Sequence, residues 1–192
     1  MASDVEIANN ALSMLGDDPI TSLTDDTPRA RLVNRIYPQT RDAVLRSHPW
    51  NCATSRATLG QLSTSPVYGW AYQYQLPSDP YCLRVLALND REDWACPGDE
   101  FKVEGRALLT DAASANIRYI FRITDPAQYD AMLYEALSAK LASKMAYAIT
   151  KSQSTVKAML EIYDGILRET RTIDGQEGSP DKQDNNILTQ DR

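Results

Sequence analysis

His48 is the chain's only histidine, and Cys52, Cys82 and Cys96 are its only cysteines. These are the nitrogen and sulfur donors of a tetrahedral zinc site, and His48 alone could act as a general base. Neither chemistry has the spacing it needs. No C-x-x-C pair starts a zinc site, and nothing in the sequence fixes a nucleophile or an orienting acid beside His48. Carboxylates gather at Asp17-Asp18, Asp25-Asp26 and Asp90/Glu92/Asp93, an oxygen-rich pattern a divalent cation could use. Each group lies in a polar stretch, where a solvated loop is the simpler expectation. Tyr68, Trp70, Tyr72 and Tyr74 alternate as if to stack bases or sugars. No lysine or arginine is interleaved, so a core wall or an oligomer contact is favoured over a ligand surface. The phosphate-cradling, zinc-protease and serine-hydrolase motifs are all missing. The sequence therefore assigns no catalytic, metal-binding or cofactor-binding residue, and the chain reads as a building block rather than an enzyme.

The elements around these residues are clearer. Ser3 and Glu6 fit a capping box, and Val5, Ala8, Leu12 and Leu15 follow at helical spacing up to Gly16. Ile20 and Leu23 are the expected anchors of the loop from Asp17 to Asp26. A second helix starts at Thr27-Pro28, with Leu32, Val33, Ile36, Tyr37, Thr40, Val44 and Leu45 on one face. Pro38 falls inside it and is expected to kink the helix or split it near Tyr37. Pro49 then forces the helix to end at or before His48, and Trp50 follows as a large apolar plug. His48, Pro49 and Trp50 thus read as a structural corner.

From Val67 the hydrophobic period changes to two. Val67–Leu76, Tyr81–Leu88, a hairpin over Phe101–Thr110 with Glu104-Gly105 at its tip, and Asn116–Ile123 make five expected strands. Helical spacing returns after Asp125-Pro126, read as an N-cap with proline at N1. Ala127–Thr150 carries a broad apolar stripe through Tyr129, Met132, Leu133, Leu137, Leu141, Met145 and Ile149. A second line runs through Ala131, Ala139, Ala142 and Ala146, read as a possible contact with a neighbouring subunit. The last helix is expected from about Ser154 to Ile173, burying Val156, Met159, Leu160, Tyr163, Ile166 and Leu167. The segment from Asp174 to Arg192 has Ile187 and Leu188 as its only large apolar residues, and reads as an arm that orders only when docked.

The expected fold is α+β, an antiparallel bundle of about four helices with a small antiparallel β domain spliced into it. The first part of the bundle spans 1–60, the β insertion 61–124, the second part of the bundle 125–173 and the C-terminal arm 174–192. Net charge is −6, which argues against a tight grip on nucleic acid. No apolar run is long enough to cross a bilayer. The opening MASDVEIANN has neither a basic nor an apolar signal region, so the expectation is a chain made and folded in a cytoplasm, its thiols free.

Four stretches taken together resemble one family. They are ALSMLGDDPITSLTDD, YPQTRDAVLRSHPWNCATSRATL, GWAYQYQLPSDPYCLRV and LASKMAYAITKSQSTVKAMLEIYDGILRETRTIDGQEG. In this order, over residues 3–178, the chain resembles the tail tubular protein A family, the head-to-tail adaptors of short-tailed bacteriophages. The R-D-x-x-L-x-x-H-P-W-N stretch from Arg41 to Asn51 and the W-x-Y-x-Y-x-L-P-x-D stretch from Trp70 to Asp79 are the most specific parts. The chain departs from the pattern at Cys52, where an aromatic is expected, and at the extra Pro80 and Tyr81.

The resemblance implies a virion protein, assembled in the cytoplasm of a bacterial host. It implies a ring of about twelve copies, docked on the portal and offering its other face to a tail nozzle resembling tail tubular protein B. DNA would pass through the channel without specific binding, helped by a negative wall. The arm, with Ile187 and Leu188 as anchors, would grip the portal. The alternatives are another portal-docking head-completion or neck protein, and a soluble ligand-binding module using the aromatic sheet face.

Overall fold

The computed structural model describes residues 3–89 and 100–177. Four helices and six strands follow one another as α1 (Asp4–Met14), α2 (Pro28–Ser47), β1 (Thr54–Thr58), β2 (Tyr72–Gln75), β3 (Cys82–Leu88), β4 (Phe101–Glu104), β5 (Ala107–Thr110), β6 (Asn116–Phe121), α3 (Ala131–Thr150) and α4 (Gln153–Glu177). The α+β class and the β module between the second and third helices are as the sequence predicts.

Helix ends follow local chemistry. Ser3 and Glu6 form the reciprocal capping box of α1. At its other end the Asp17 N–H donates to the Leu12 carbonyl and the Gly16 N–H to that of Ser13. This pairing requires Gly16 to be left-handed, and its φ is +69°. Thr27 caps α2 by accepting from the Ala30 N–H, with Pro28 at the first helical position. α2 then runs through Pro38 as one helix, so the split near Tyr37 does not occur. Val33 and Tyr37 before the proline and Val44 and Leu45 after it are all buried in one core, and this shared packing holds the helix together across the missing hydrogen bond.

α3 is the central helix and packs on α1, α2 and α4. Ala139, Ala142 and Ala146 are completely buried against these neighbours, whereas Ala131 is exposed. Ala139, Ala142 and Ala146 are therefore spent inside the chain and not on a subunit contact: small side chains let helices of the same chain approach. The start of α3 also differs. Asp125 caps only a short 3-10 turn, Pro126–Gln128, and Asp130 caps the helix by accepting from the Leu133 N–H at 2.6 Å. In α4, Met159, Tyr163 and Leu167 are buried, while Leu160 is exposed. The helix runs on to Glu177, so the first residues assigned to the arm continue α4.

The strands form two antiparallel sheets, ordered β1-β6-β3 and β2-β5-β4. One core lies between the helices and the first sheet, and a second lies between the sheets. β6 serves both, with Ile120 facing the helices and Ile117 and Tyr119 facing the second sheet. β3 does the same through bulges between Cys82 and Arg84 and between Val85 and Ala87. Cys82, Val85 and Leu88 face the second sheet, and Leu83 and Leu86 the helices. The segment after β1 crosses between sheets, pairing at Leu59 with Ala115 and at Gly60 and Leu62 with β2.

Three expectations about the strands change. β1, inside the residues assigned to the bundle, is a strand paired with β6, so the β module begins at Thr54 rather than at residue 61. Its sequence, TSRAT, has no large apolar residue to mark it. The strand expected over Val67–Leu76 is only Tyr72–Gln75. Its partner β5 ends at Thr110, opposite Tyr72, and Gly69 at φ +85° turns the chain away. The β4–β5 tip is Gly105-Arg106, one residue later than expected, with Gly105 at φ +58°.

Candidate functional site

Of the residues singled out in the sequence, His48, Pro49 and Trp50 lie at the joint between the bundle and the first sheet. Pro49 drives His48 out of the helical region (φ −140°, ψ 147°), and His48 becomes the C-cap of α2. It is buried, edge-on to the Trp50 ring with centroids 4.9 Å apart. Trp50 is fully buried and its indole Nε1–H donates to the Val44 carbonyl at 2.9 Å. Ser47 Oγ donates to the same carbonyl at 2.7 Å and lies 3.2 Å from the Tyr163 hydroxyl of α4. An end-of-helix carbonyl that has lost its next turn is thus satisfied by two side chains. The Trp50 carbonyl then accepts from the Ala53 N–H and the Thr54 hydroxyl, which leads directly into β1.

A charged clamp reinforces this corner. Arg122, just past β6, donates to Asp42 Oδ2 from Nε at 2.9 Å and from a terminal nitrogen at 2.6 Å. Arg41 donates to Asp42 Oδ1. At the next level of the bundle, Tyr37 donates its hydroxyl hydrogen to Asp4 at 2.5 Å, and burial pushes the Tyr37 phenol far above its ordinary range. Lys144 of α3 donates to the buried Thr40 of α2 at 3.0 Å, and desolvation lowers its pKa.

The remaining candidates are dispersed. Cys52 packs beside the helical core and Cys82 lies in the core between the sheets, so the described donors of the zinc arrangement do not meet. Burial raises both thiols, Cys52 to about 11. Among the described residues no group of three or more histidine, cysteine or carboxylate side chains is placed to hold a metal. Asp17 and Asp18 engage Arg29, Asp26 engages Arg31, and Asp25 accepts from Thr21 and Ser22. These acids tie the α1–α2 loop together, and Ile20 is buried there, its backbone bonded twice to Asn9. Cys96, the Asp90/Glu92/Asp93 group, Ile187 and Leu188 lie outside the described residues.

The aromatic alternation does not form a single exposed face. Tyr74 is buried between the sheets, its hydroxyl donating to the Ala112 carbonyl, and Tyr72 packs against the same core. Tyr68 is 87% exposed and its neighbour Val67 97% exposed. With Trp70, Lys102 and Leu109 they border a cleft of about 490 Å³ beside β4 and β5. What sequence reasoning missed is a second cleft, where four arginines from distant parts of the chain come together. Each is isolated in the sequence, so no local signal could have found it. Compared with protein-family models and with curated protein sequences, the chain matches none.

Proposed function

We propose that this chain is a structural head-to-tail adaptor of a short-tailed bacteriophage, one of about twelve copies in a ring between portal and tail nozzle. The observation that carries the proposal is the use the fold makes of the two most specific stretches of the resemblance. In Arg41–Asn51, Asp42 clamps Arg122, Leu45 and Trp50 fill the core, and His48 and Pro49 turn the chain into the β module. In Trp70–Asp79, Tyr74 and Leu76 are buried in the second sheet. Both stretches shape a rigid two-part body, the property a ring subunit needs to hold its faces at fixed angles.

The exposed apolar residues suit such a role. Val67 and Tyr68 project beside the second sheet, and Leu160 and Ile162 lie on the uncovered side of α4. The net charge of −6 suits a channel wall past which DNA slides.

The test is to mix the purified chain with portal rings and weigh the product by native mass spectrometry. About twelve copies per portal are expected. A chain that stays monomeric and leaves the portal unchanged overturns the proposal. Deleting residues 178–192 should abolish the association while leaving the melting curve nearly unchanged, because the described core ends before them. In filter binding, DNA retention with a steep salt slope would contradict the sliding wall. Another portal-docking neck protein would give a different position along the channel axis in an electron-microscopy map of the particle.

A further inference from the structure

We infer that the arginine-lined cleft between the end of α2, the outer edge of β3 and the β4–β5 turn binds an acidic peptide segment of a partner protein. The cleft measures about 470 Å³ and is lined by Arg46, Arg84, Arg106 and Arg122, together with Tyr81 and apolar residues that include Val85 and Val103. Four guanidinium groups share it in a chain whose net charge is negative.

Their partners leave most of this charge unanswered. Arg122 is the only one of the four in an ion pair among the described residues, and its Asp42 is shared with Arg41. Arg46 donates to the Leu83 carbonyl at 2.6 Å, and Arg84 donates back to the Arg46 carbonyl at 3.4 Å. Arg106 donates to the carbonyls of Cys82 at 2.8 Å and of Pro77. These acceptors are neutral backbone groups. They position the guanidiniums and do not cancel their charge. Tyr81 holds two of them still, with the Arg106 and Arg122 carbons 4.1 and 4.3 Å from the ring centroid. Held this way, Arg106 and Arg122 lose little further freedom when an anion arrives, while Arg46 and Arg84, each donating through one terminal nitrogen, keep the Nε side of the guanidinium for a forked pair of bonds to a carboxylate.

The surroundings favour a peptide over a nucleic acid. Among the described residues β3 is an edge strand, paired with β6 alone, and two of its carbonyls are covered by Arg46 and Arg106. Val85 and Val103 supply apolar lining for the aliphatic part of a peptide. A nucleic-acid strand needs cations in a track that follows its backbone, whereas these form one compact cluster. The inference stands whether or not the chain forms the ring proposed above.

The test uses the full chain and fluorescence anisotropy with labelled hexaglutamate, hexaglutamine and a thymidine oligonucleotide of equal charge. Saturable binding of hexaglutamate is expected, lost at about 0.5 M salt, with no binding of hexaglutamine. Arg84→Gln should weaken it at least about fivefold, with Arg106→Gln as a second variant. Arg84 is exposed and, among the described residues, its side chain makes only the long bond to Arg46, so its variant should melt like the parent. Failure of hexaglutamate to bind, equal binding of the oligonucleotide, or undiminished affinity in the Arg84→Gln chain overturns the inference.

Discussion

Arg122 and Asp42 are separated by 80 residues in sequence, yet two guanidinium nitrogens of one meet a single carboxylate oxygen of the other. The pair ties α2 to the end of β6, so the bundle and the β module cannot shift without breaking it. Both side chains are partly buried, and Asp42 also serves Arg41. Asp42→Asn removes the negative partner of two arginines at once and should cost about 1.5–3 kcal/mol of stability. Urea unfolding of the variant checks this, and an unchanged midpoint would mean that the clamp carries no load.

Trp50 is the apolar half of the same joint. Trp50→Ala should cost about 3–5 kcal/mol, because it opens a cavity between helices and sheet. Trp50→Phe should cost clearly less, since Ser47 still donates to the Val44 carbonyl when the indole N–H is gone. Comparing the two in denaturant separates volume from hydrogen bonding.

Ala142 is fully buried within the chain. Ala142→Leu should overpack α3 and cost about 1–3 kcal/mol, visible as a lower melting temperature of the free chain. Were Ala142 a contact with another subunit, the free chain would melt unchanged and only assembly would suffer.

The α1–α2 loop should respond to acid. Two nitrogens of Arg29 donate to Asp17 at 2.6 and 2.7 Å, and this hydrogen bonding holds the Asp17 carboxyl below its ordinary value of 3.8. A group depressed on folding contributes stability that is present above its unfolded value. That contribution is lost as the pH falls from there through the lower folded value. Asp17→Asn should therefore reduce stability at neutral pH and flatten its fall below about pH 4. Parallel unfolding curves of parent and variant across that range would contradict the assignment.

Cys52 is raised to about 11 by burial and Cys82 is also raised, so both thiols should be poor nucleophiles near neutral pH. In a Cys96→Ser chain, Ellman's reagent at pH 8 should react at least about 100-fold more slowly with the folded protein than in urea. Rapid labelling of the folded chain would show that one of these thiols is accessible.

Much of the bundle is legible in the sequence because its signals are local. The Ser3–Glu6 box, the Gly16 stop, the Thr27-Pro28 start and the Pro49 stop each act within one helical turn, so residue type alone determines them. The His48-Pro49-Trp50 corner belongs with them, since proline dictates the break and Trp50 needs a core to enter. β1 is silent for the opposite reason. It is an edge strand of small and polar residues, and its existence depends on β6, which comes 58 residues later at the pair Thr58–Asn116. The aromatic run reads as a longer strand than it is, because alternation reports which residues favour a sheet and not where the partner strand ends. The alanines of α3 show that packing is needed, but not whether the neighbour is the same chain or another.

By itself, then, the sequence determined the four helices, the caps and stops of the first two, the β module between the second and third and the acidic balance, because these follow from short-range chemistry and composition. Only the tertiary structure decided the division into two sheets, the inward use of Ala139, Ala142 and Ala146, and the meeting of Asp42 with Arg122. It also brought Arg46, Arg84, Arg106 and Arg122 to one cleft. Those outcomes depend on contacts between residues far apart in the chain. Such contacts leave no spacing to read, because an isolated arginine looks the same in sequence whether it faces solvent alone or joins three others.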